Sequence, residues 1–231
     1  MPPVGRLRIR PRTIMFYIDI HTHNIPADDR IAIVNSSTEH SDSLMRSAGM
    51  HPWDIQPCPD EQINVIERAS ALASVVAIGE CGIDKLKSPA SIKEQKRVFE
   101  AQALIAEKSR KPLIIHCVKA QEEIIAIKRN IKPSTAWIIH GFRGKPEQAA
   151  QLLKEGFYLS YGEKFNAESL AATPPSRLFI ESDTSSLPIK DIYKNVADIL
   201  GISTEALATQ IAENIERCGI IIDQSLQKQS L

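Results

Sequence analysis

Four histidines and two carboxylates, His21, His23, His116, His140, Glu80 and Asp183, each stand at or one step past the end of a short apolar run. Imidazole nitrogens and carboxylate oxygens are the donors that hold divalent transition ions, and such ions activate water for hydrolysis. The runs cover residues 16–20, 75–79, 113–115, 136–139 and 178–182. Continuous apolar runs of this length mark strands buried on both faces, as in a parallel sheet. Donors at the carboxyl ends of five such strands converge on one mouth, which in a closed α/β barrel is where active sites are built. The pattern predicts a metal-dependent hydrolase.

Each donor also has a plainer structural reading. In Asp19-Ile20-His21-Thr22-His23 alternation puts Asp19, His21 and His23 on one face of a strand. A pair of solvated loop histidines is the alternative; the recurrence of donors at other strand ends argues against it. Glu80 lies between Gly79 and Cys81-Gly82. A glutamate buried there costs several kcal/mol unless it is paired or metal-bound. Its two oxygens suit it to bridge two ions, a salt-bridged structural role being the alternative. A lone histidine on an apolar strand is usually a hydrogen-bonded core residue, but His116 and His140 occupy matching places on neighbouring strands. Asp183 can bind metal and act as general base. Glu181 shares its face, either competing for that role or supporting a ligand from behind. His51, in Gly49-Met50-His51-Pro52-Trp53, is placed to contact substrate or to stack on Trp53 as a loop residue.

Eight strands are expected, at residues 15–21, 31–36, 44–50, 75–80, 112–116, 135–140, 157–161 and 177–182. Helical periodicity falls at 60–73, 92–109, 119–129, 146–155, 190–200 and 204–217. The helix at 92–109 has Ser91 as N-cap, Glu94 three residues on, and a stripe of Val98, Phe99, Ala101, Gln102, Leu104 and Ile105. Strand–helix alternation means α/β with a parallel sheet, here an irregular TIM (β/α)8 barrel. The first third departs from the ideal. Only residues 24–30 and 37–43 separate the first three strands, whereas a parallel crossover normally takes a dozen residues or more. Either the first two helices are missing or very short, or one strand assignment is wrong. If they are missing, the outer faces of the first strands lack cover, and self-association is expected to supply it.

The chain has 231 residues, 28 basic and 28 acidic side chains, and 43% hydrophobic residues, as in a soluble single-domain protein. Residues 1–14 hold Arg6, Arg8, Arg10 and Arg12 and no acid. Removing those four from the 28 basic side chains leaves 24 against 28, a body of net charge −4. That balance argues against sequence-independent binding to duplex DNA. The leader reads as a segment outside the compact fold, with Met15 opening a single barrel domain over 15–231. Cys58, Cys81, Cys117 and Cys218 form no Cys-x-x-Cys pair and read as reduced thiols of a cytoplasmic protein. No apolar run approaches the ~20 residues that cross a membrane.

Taken together, the motifs resemble those of the TatD-type metal-dependent hydrolases of the amidohydrolase superfamily. The matching pieces are residues 19–23, Ala48-Gly49-Met50-His51-Pro52-Trp53 and Gly79-Glu80-Cys81-Gly82-Ile83-Asp84. They continue through Gln95, Phe99, Gln102, Pro112 and Ile115-His116 to His140-Gly141-Phe142-Arg143-Gly144, Glu181-Ser182-Asp183 and Asn214. The resemblance implies a TIM barrel with two divalent metal ions. His21, His23 and Asp183 would hold one, His116 and His140 the other, and Glu80 would bridge. It further implies deoxyribonuclease activity, often exonucleolytic. The chain departs from the family where an arginine often follows the His116 equivalent by two residues, which is Val118 here. It also departs after Asp183, where only Thr184-Ser185-Ser186-Leu187-Pro188 precedes the next helix.

The expected activity is therefore phosphodiester hydrolysis by a metal-activated water, with Asp183 as general base. Arg143, Lys145 and Lys164 would grip a small or single-stranded nucleic-acid substrate, although loop lysines and arginines are more often solvated charge. Four imidazoles favour Zn²⁺ or Mn²⁺, with Mg²⁺ possible. Two rivals share the metal site: an amidohydrolase acting on an amide, lactone or deaminase substrate, and a metal-stabilised binding protein without turnover.

Overall fold

A computed structural model describes residues 16–26, 30–36 and 44–222. Its strands are β1 (Ile18–Thr22), β2 (Ile31–Asn35), β3 (Arg46–Ala48), β4 (Val75–Asp84), β5 (Leu113–Val118), β6 (Trp137–Ile139), β7 (Tyr158–Tyr161) and β8 (Leu178–Ile180). They lie side by side in chain order, and each neighbouring pair is parallel. The two ends of the sheet meet where Thr22 and Asp183 form a parallel bridge. The result is the expected TIM barrel.

The helices are α1 (Asp60–Ala69), α2 (Ile92–Ser109), α3 (Gln121–Ile131), α4 (Pro146–Lys154), α5 (Ala167–Ala172), α6 (Ile189–Leu200) and α7 (Thr204–Arg217). Six answer to the periodicity in the sequence. The seventh, α5, has only six residues, too few for an apolar period to show, and is started by Asn166, whose side chain accepts from Ser169 N at 2.9 Å. Several strands are shorter than expected; β4 is longer, running four residues past Glu80.

The puzzle of the first third resolves in favour of the strands. β1, β2 and β3 all exist and pair in parallel across connections too short for a full crossover helix. No helix occurs among their described residues; positions 27–29 and 37–43 lie outside them, as does the basic leader at 1–14. The described residues of β1 and β2 leave no large apolar side chain bare. Ile18, Ile20, Ile31, Ile33 and Val34 are all buried within the single chain.

Helix α2 shows how local and tertiary forces agree. The Ser91 side chain accepts from Glu94 N at 3.2 Å, and Arg110 ends the helix in the left-handed conformation. Val98, Phe99, Gln102, Ala103, Ile105 and Ala106 are buried, while Leu104, expected in the stripe, is exposed. Phe99 packs edge-on against Trp137 of β6 with ring centroids 5.4 Å apart. Burying a side chain of this size contributes about 1.5–3 kcal/mol. Two glutamines of α2 also reach the barrel mouth: Gln102 exchanges hydrogen bonds with both backbone groups of Met50, and Gln95 accepts from Asp84 N at 2.8 Å.

Candidate metal centre

Glu80 is the hub. Its strand passes so close to β5 that a Cβ at Gly79 would collide with the Ile114 carbonyl, and one at Gly82 with that of His116. Both glycines adopt positive φ, which side-chain-bearing residues avoid. Asn35, at the end of β2, donates its side-chain amide to Glu80 Oε2 at 3.4 Å and accepts from Glu80 N at 3.1 Å.

Five imidazoles surround this carboxylate. His21 Nε2 and His23 Nε2 lie 3.3 and 3.4 Å from Oε2. His140 Nε2, His116 Nδ1 and His51 Nε2 lie 2.7, 2.8 and 3.2 Å from Oε1. Asp183 Oδ1 completes the set, 3.9 Å from His21 Nε2 and 3.6 Å from His23 Nε2. All six donors singled out in the sequence therefore meet.

The seam of the barrel sets the Asp183 side. His23 N donates to Asp183 O at 3.1 Å, and Asp183 N donates to His21 O at 3.0 Å. Asp183 has φ of 51°, a left-handed conformation that aspartate tolerates better than most residues and that concentrates at functional sites.

Residues behind the donors decide which ring nitrogen faces the centre. His116 turns Nε2 to Asp84 Oδ2 at 3.3 Å, and His140 turns Nδ1 to Glu181 Oε1 at 3.3 Å. Carboxylates accept hydrogen bonds from these nitrogens, which turns His116 Nδ1 and His140 Nε2 toward Glu80. His51 is opposite in kind. Its Nδ1 accepts from Trp53 N at 3.1 Å, so the neutral ring carries its proton on Nε2. Although that nitrogen is also 3.2 Å from His116 Nδ1, it faces the centre as a donor.

Electrostatics follow the same map. With no cation among the donors, burial would raise the Glu80 carboxyl. The charge of His140 and hydrogen bonds from His116 and His140 outweigh this and hold it well below the usual range. Burial opposes charge on His140, yet Glu80 and Glu181 together push it well up. His23 is raised by its hydrogen bond to Glu80.

A resident cation suits this donor set. One carboxylate cannot satisfy five imidazoles with protons alone. Both ring nitrogens of buried His21 have no hydrogen-bond partner, which costs roughly 1–3 kcal/mol for each orphaned group. Donors held tetrahedrally ~2.1 Å from one ion stand about 3.4 Å apart, close to the spacings of His21 and His23 from Glu80 Oε2.

Asp19 departs from expectation. It shares the strand face but sits deeper, accepting from Ser182 N at 2.9 Å and Ser182 Oγ at 2.6 Å, with Arg30 Nη1 at 3.4 Å. Burial pushes it up to about 7. It therefore ties the end of β8 to β1 and offers no donor to the cluster. Sequence reading gave no role to Asn35 or Asp84. Asn35 follows an apolar strand run just as the donors do, so its signal was present.

Two clefts open at the centre. The smaller, about 280 Å³, is lined by Arg143, Lys164, Asp183 and the hydroxyl-bearing residues Thr184, Ser185 and Ser186. The larger, about 850 Å³, runs past His116, His140 and Asp183 to Trp53, with Arg143 and Val118 on its wall. Lys145, expected at the same mouth, is exposed at the start of α4 and lines neither of these two.

A family model described as TatD related DNase matches residues 19–218. The chain belongs to this family. Among its relatives, YabD of Bacillus subtilis (strain 168), described as an uncharacterized metal-dependent hydrolase, is 32% identical over 202 residues, 78% of each chain. The 3'-5' ssDNA/RNA exonuclease TatD of Pantoea ananatis is 29% identical over 206 residues, 77% of this chain and 78% of that one. The crystal structure of the TatD homolog YjjV from Escherichia coli K12 shares the fold, with a TM-score of 0.76 over 87% of this chain and 97% of that one at 18% identity. As a TatD-family protein the chain is a metal-dependent hydrolase. None of its described helices is long and apolar enough to cross a membrane.

Proposed function

We propose that the chain cleaves phosphodiester bonds near the end of single-stranded nucleic acid, using two divalent ions. The observation that carries this reading is the smaller cleft, where Arg143 and Lys164 face the same space as Asp183 and the Glu163 carboxylate is held by Ser185 Oγ at 2.7 Å. Cations beside a hydrolytic centre suit an anionic, phosphate-bearing substrate better than a neutral amide. The relatives named as ssDNA/RNA exonucleases support the same substrate class.

His21, His23 and Asp183 are assigned to one ion, His116 and His140 to the other, and Glu80 to both. An imidazole-rich set suits Zn²⁺ or Mn²⁺ better than Mg²⁺. Ions bound there supply a nucleophile from water near neutral pH and offset charge on the attacked phosphoryl group.

The chain's own groups do the rest. Asp183 takes the proton of the attacking water, at the carboxylate that lines both clefts. Glu181, turned to His140 and to Gly141 N at 2.8 Å, supports a ligand from behind. His51 presents Nε2–H to a non-bridging phosphoryl oxygen. Arg143 and Lys164 hold the neighbouring phosphate. The test is hydrolysis of a short single-stranded oligonucleotide by the metal-replete protein. Hydrolysis of an amide or lactone with no cleavage of any nucleic acid would reject the substrate and leave the hydrolase.

A further inference from the structure

Trp53 is 43% exposed at the edge of the larger cleft, beside Leu86, which is 69% exposed. An aromatic ring left half open beside a hydrolytic centre offers a flat apolar face on which a ligand can pack. This one is also held still. Its indole N–H donates to Asp84 Oδ2 at 2.7 Å, and Asp84 is itself buried and fixed by accepting from Leu86 N and Lys87 N. The His51 ring meets it edge-on with centroids 4.6 Å apart, and His116 lies 5.9 Å away.

The ring is thus an immobilised aromatic surface within one side chain of the hydrolytic centre. Exposed Lys87 holds its ammonium 4.9 Å from the ring centroid, and exposed Lys119 and Arg143 line the same cleft. Of the four acids there, Asp84 is taken up by these bonds, Glu123 is paired with Lys85 at 2.6 Å, Asp183 stands at the metal centre, and Glu122 is exposed. An aromatic platform flanked by cations is what proteins present to single-stranded nucleic acid, whose bases stack while its phosphates meet the charges.

We propose that Trp53 is a specificity-determining residue on which one base of the substrate stacks, next to the linkage being cut. This rests on the nucleic-acid reading above. Lys87, free to swing because it is exposed, moves to the adjacent phosphate as the base takes its place against the ring. Every base has a π-face, so the platform selects for the presence of a base without selecting which one. Three hydrogen bonds join this platform to the centre: Trp53 N sets the His51 tautomer, and Asp84 Oδ2 serves both the indole and His116.

The experiment uses the metal-replete full chain and short single-stranded oligonucleotides with slowly cleaved phosphorothioate linkages. A matched oligomer of the same length and charge is abasic at its terminal positions. The chain has only two tryptophans, and Trp137 is fully buried, so a change of tryptophan emission on binding reports Trp53. Base-bearing oligomer should change the emission, and abasic oligomer should not. Trp53→Ala should weaken binding of the base-bearing oligomer about tenfold or more, the size expected for losing one stacked base, and leave the abasic one unchanged. Trp53→Phe, which keeps a ring but cannot donate to Asp84, should retain most of the preference. If anisotropy shows binding while emission stays constant, or if Trp53→Ala weakens both oligomers equally, the stacking role is overturned and the nuclease reading survives. If neither oligomer binds, both fall.

Discussion

Asp183 donates its backbone N–H to the carbonyl of His21 at 3.0 Å, so the seam that closes the barrel is also where two candidate ligands from opposite ends of the chain meet. The 161 residues between them in sequence collapse to one hydrogen bond. Closing the barrel and assembling the site are therefore the same event, which makes the predictions below separable by how each residue reaches the centre.

Purified protein should carry roughly two equivalents of transition metal, as in two-metal hydrolases. His21→Ala and His116→Ala should each lose part of it, by elemental analysis. Acidification should release it too, because protons compete for the same nitrogens and oxygens. Unchanged stoichiometry in both variants would sink the assignment.

Asp183→Asn should lower kcat by ~10²–10⁴-fold, the usual loss on removing a positioned base. Glu181→Gln should act through His140, weakening metal affinity by about 10–100-fold, and should recover at high metal concentration. Recovery of Asp183→Asn under those conditions would transfer the base role elsewhere.

Asp84→Asn should also lower metal affinity by about 10–100-fold, since it orients His116 without reaching the centre. Its distinguishing mark is that titration with excess metal restores kcat.

Arg143→Ala should reduce kcat/KM on single-stranded DNA with a shallow salt dependence, because few phosphates are engaged. Lys145→Ala should have no effect on the same assay. Equal losses in the two variants would mean general charge, not a local grip.

Ser91→Ala should destabilise the protein by about 1 kcal/mol through loss of the α2 cap, measured by denaturant unfolding. The cap is exposed and separate from the donor cluster, so metal content should not change.

Much of this was legible in the sequence because strand ends announce themselves. Each apolar run is followed within three residues by a donor at the mouth. That rule finds His21, Glu80, His116 and His140 directly and Asp183 beyond Glu181 and Ser182, and it would have found Asn35. The cap of α2 was legible because Ser91 and Glu94 act through neighbouring backbone. Leu104 was misplaced because the side of a helix that gets buried depends on its neighbours; Ala103 and Ala106 fit against the sheet instead.

Other features needed three dimensions. Whether β1, β2 and β3 pair in parallel across short connections depends on distant packing, which local patterns do not encode. Asp19 alternates with His21 and His23, but depth along a barrel is invisible to alternation, so only the fold shows it binding Ser182. His51, His116 and His140 are the same residue type at similar strand ends. Trp53 N, Asp84 and Glu181 decide which ring nitrogen of each keeps its proton. Composition and spacing determine that imidazoles and carboxylates gather at one mouth. Tertiary contacts decide what each does there, because a ring's chemistry depends on the partner behind it.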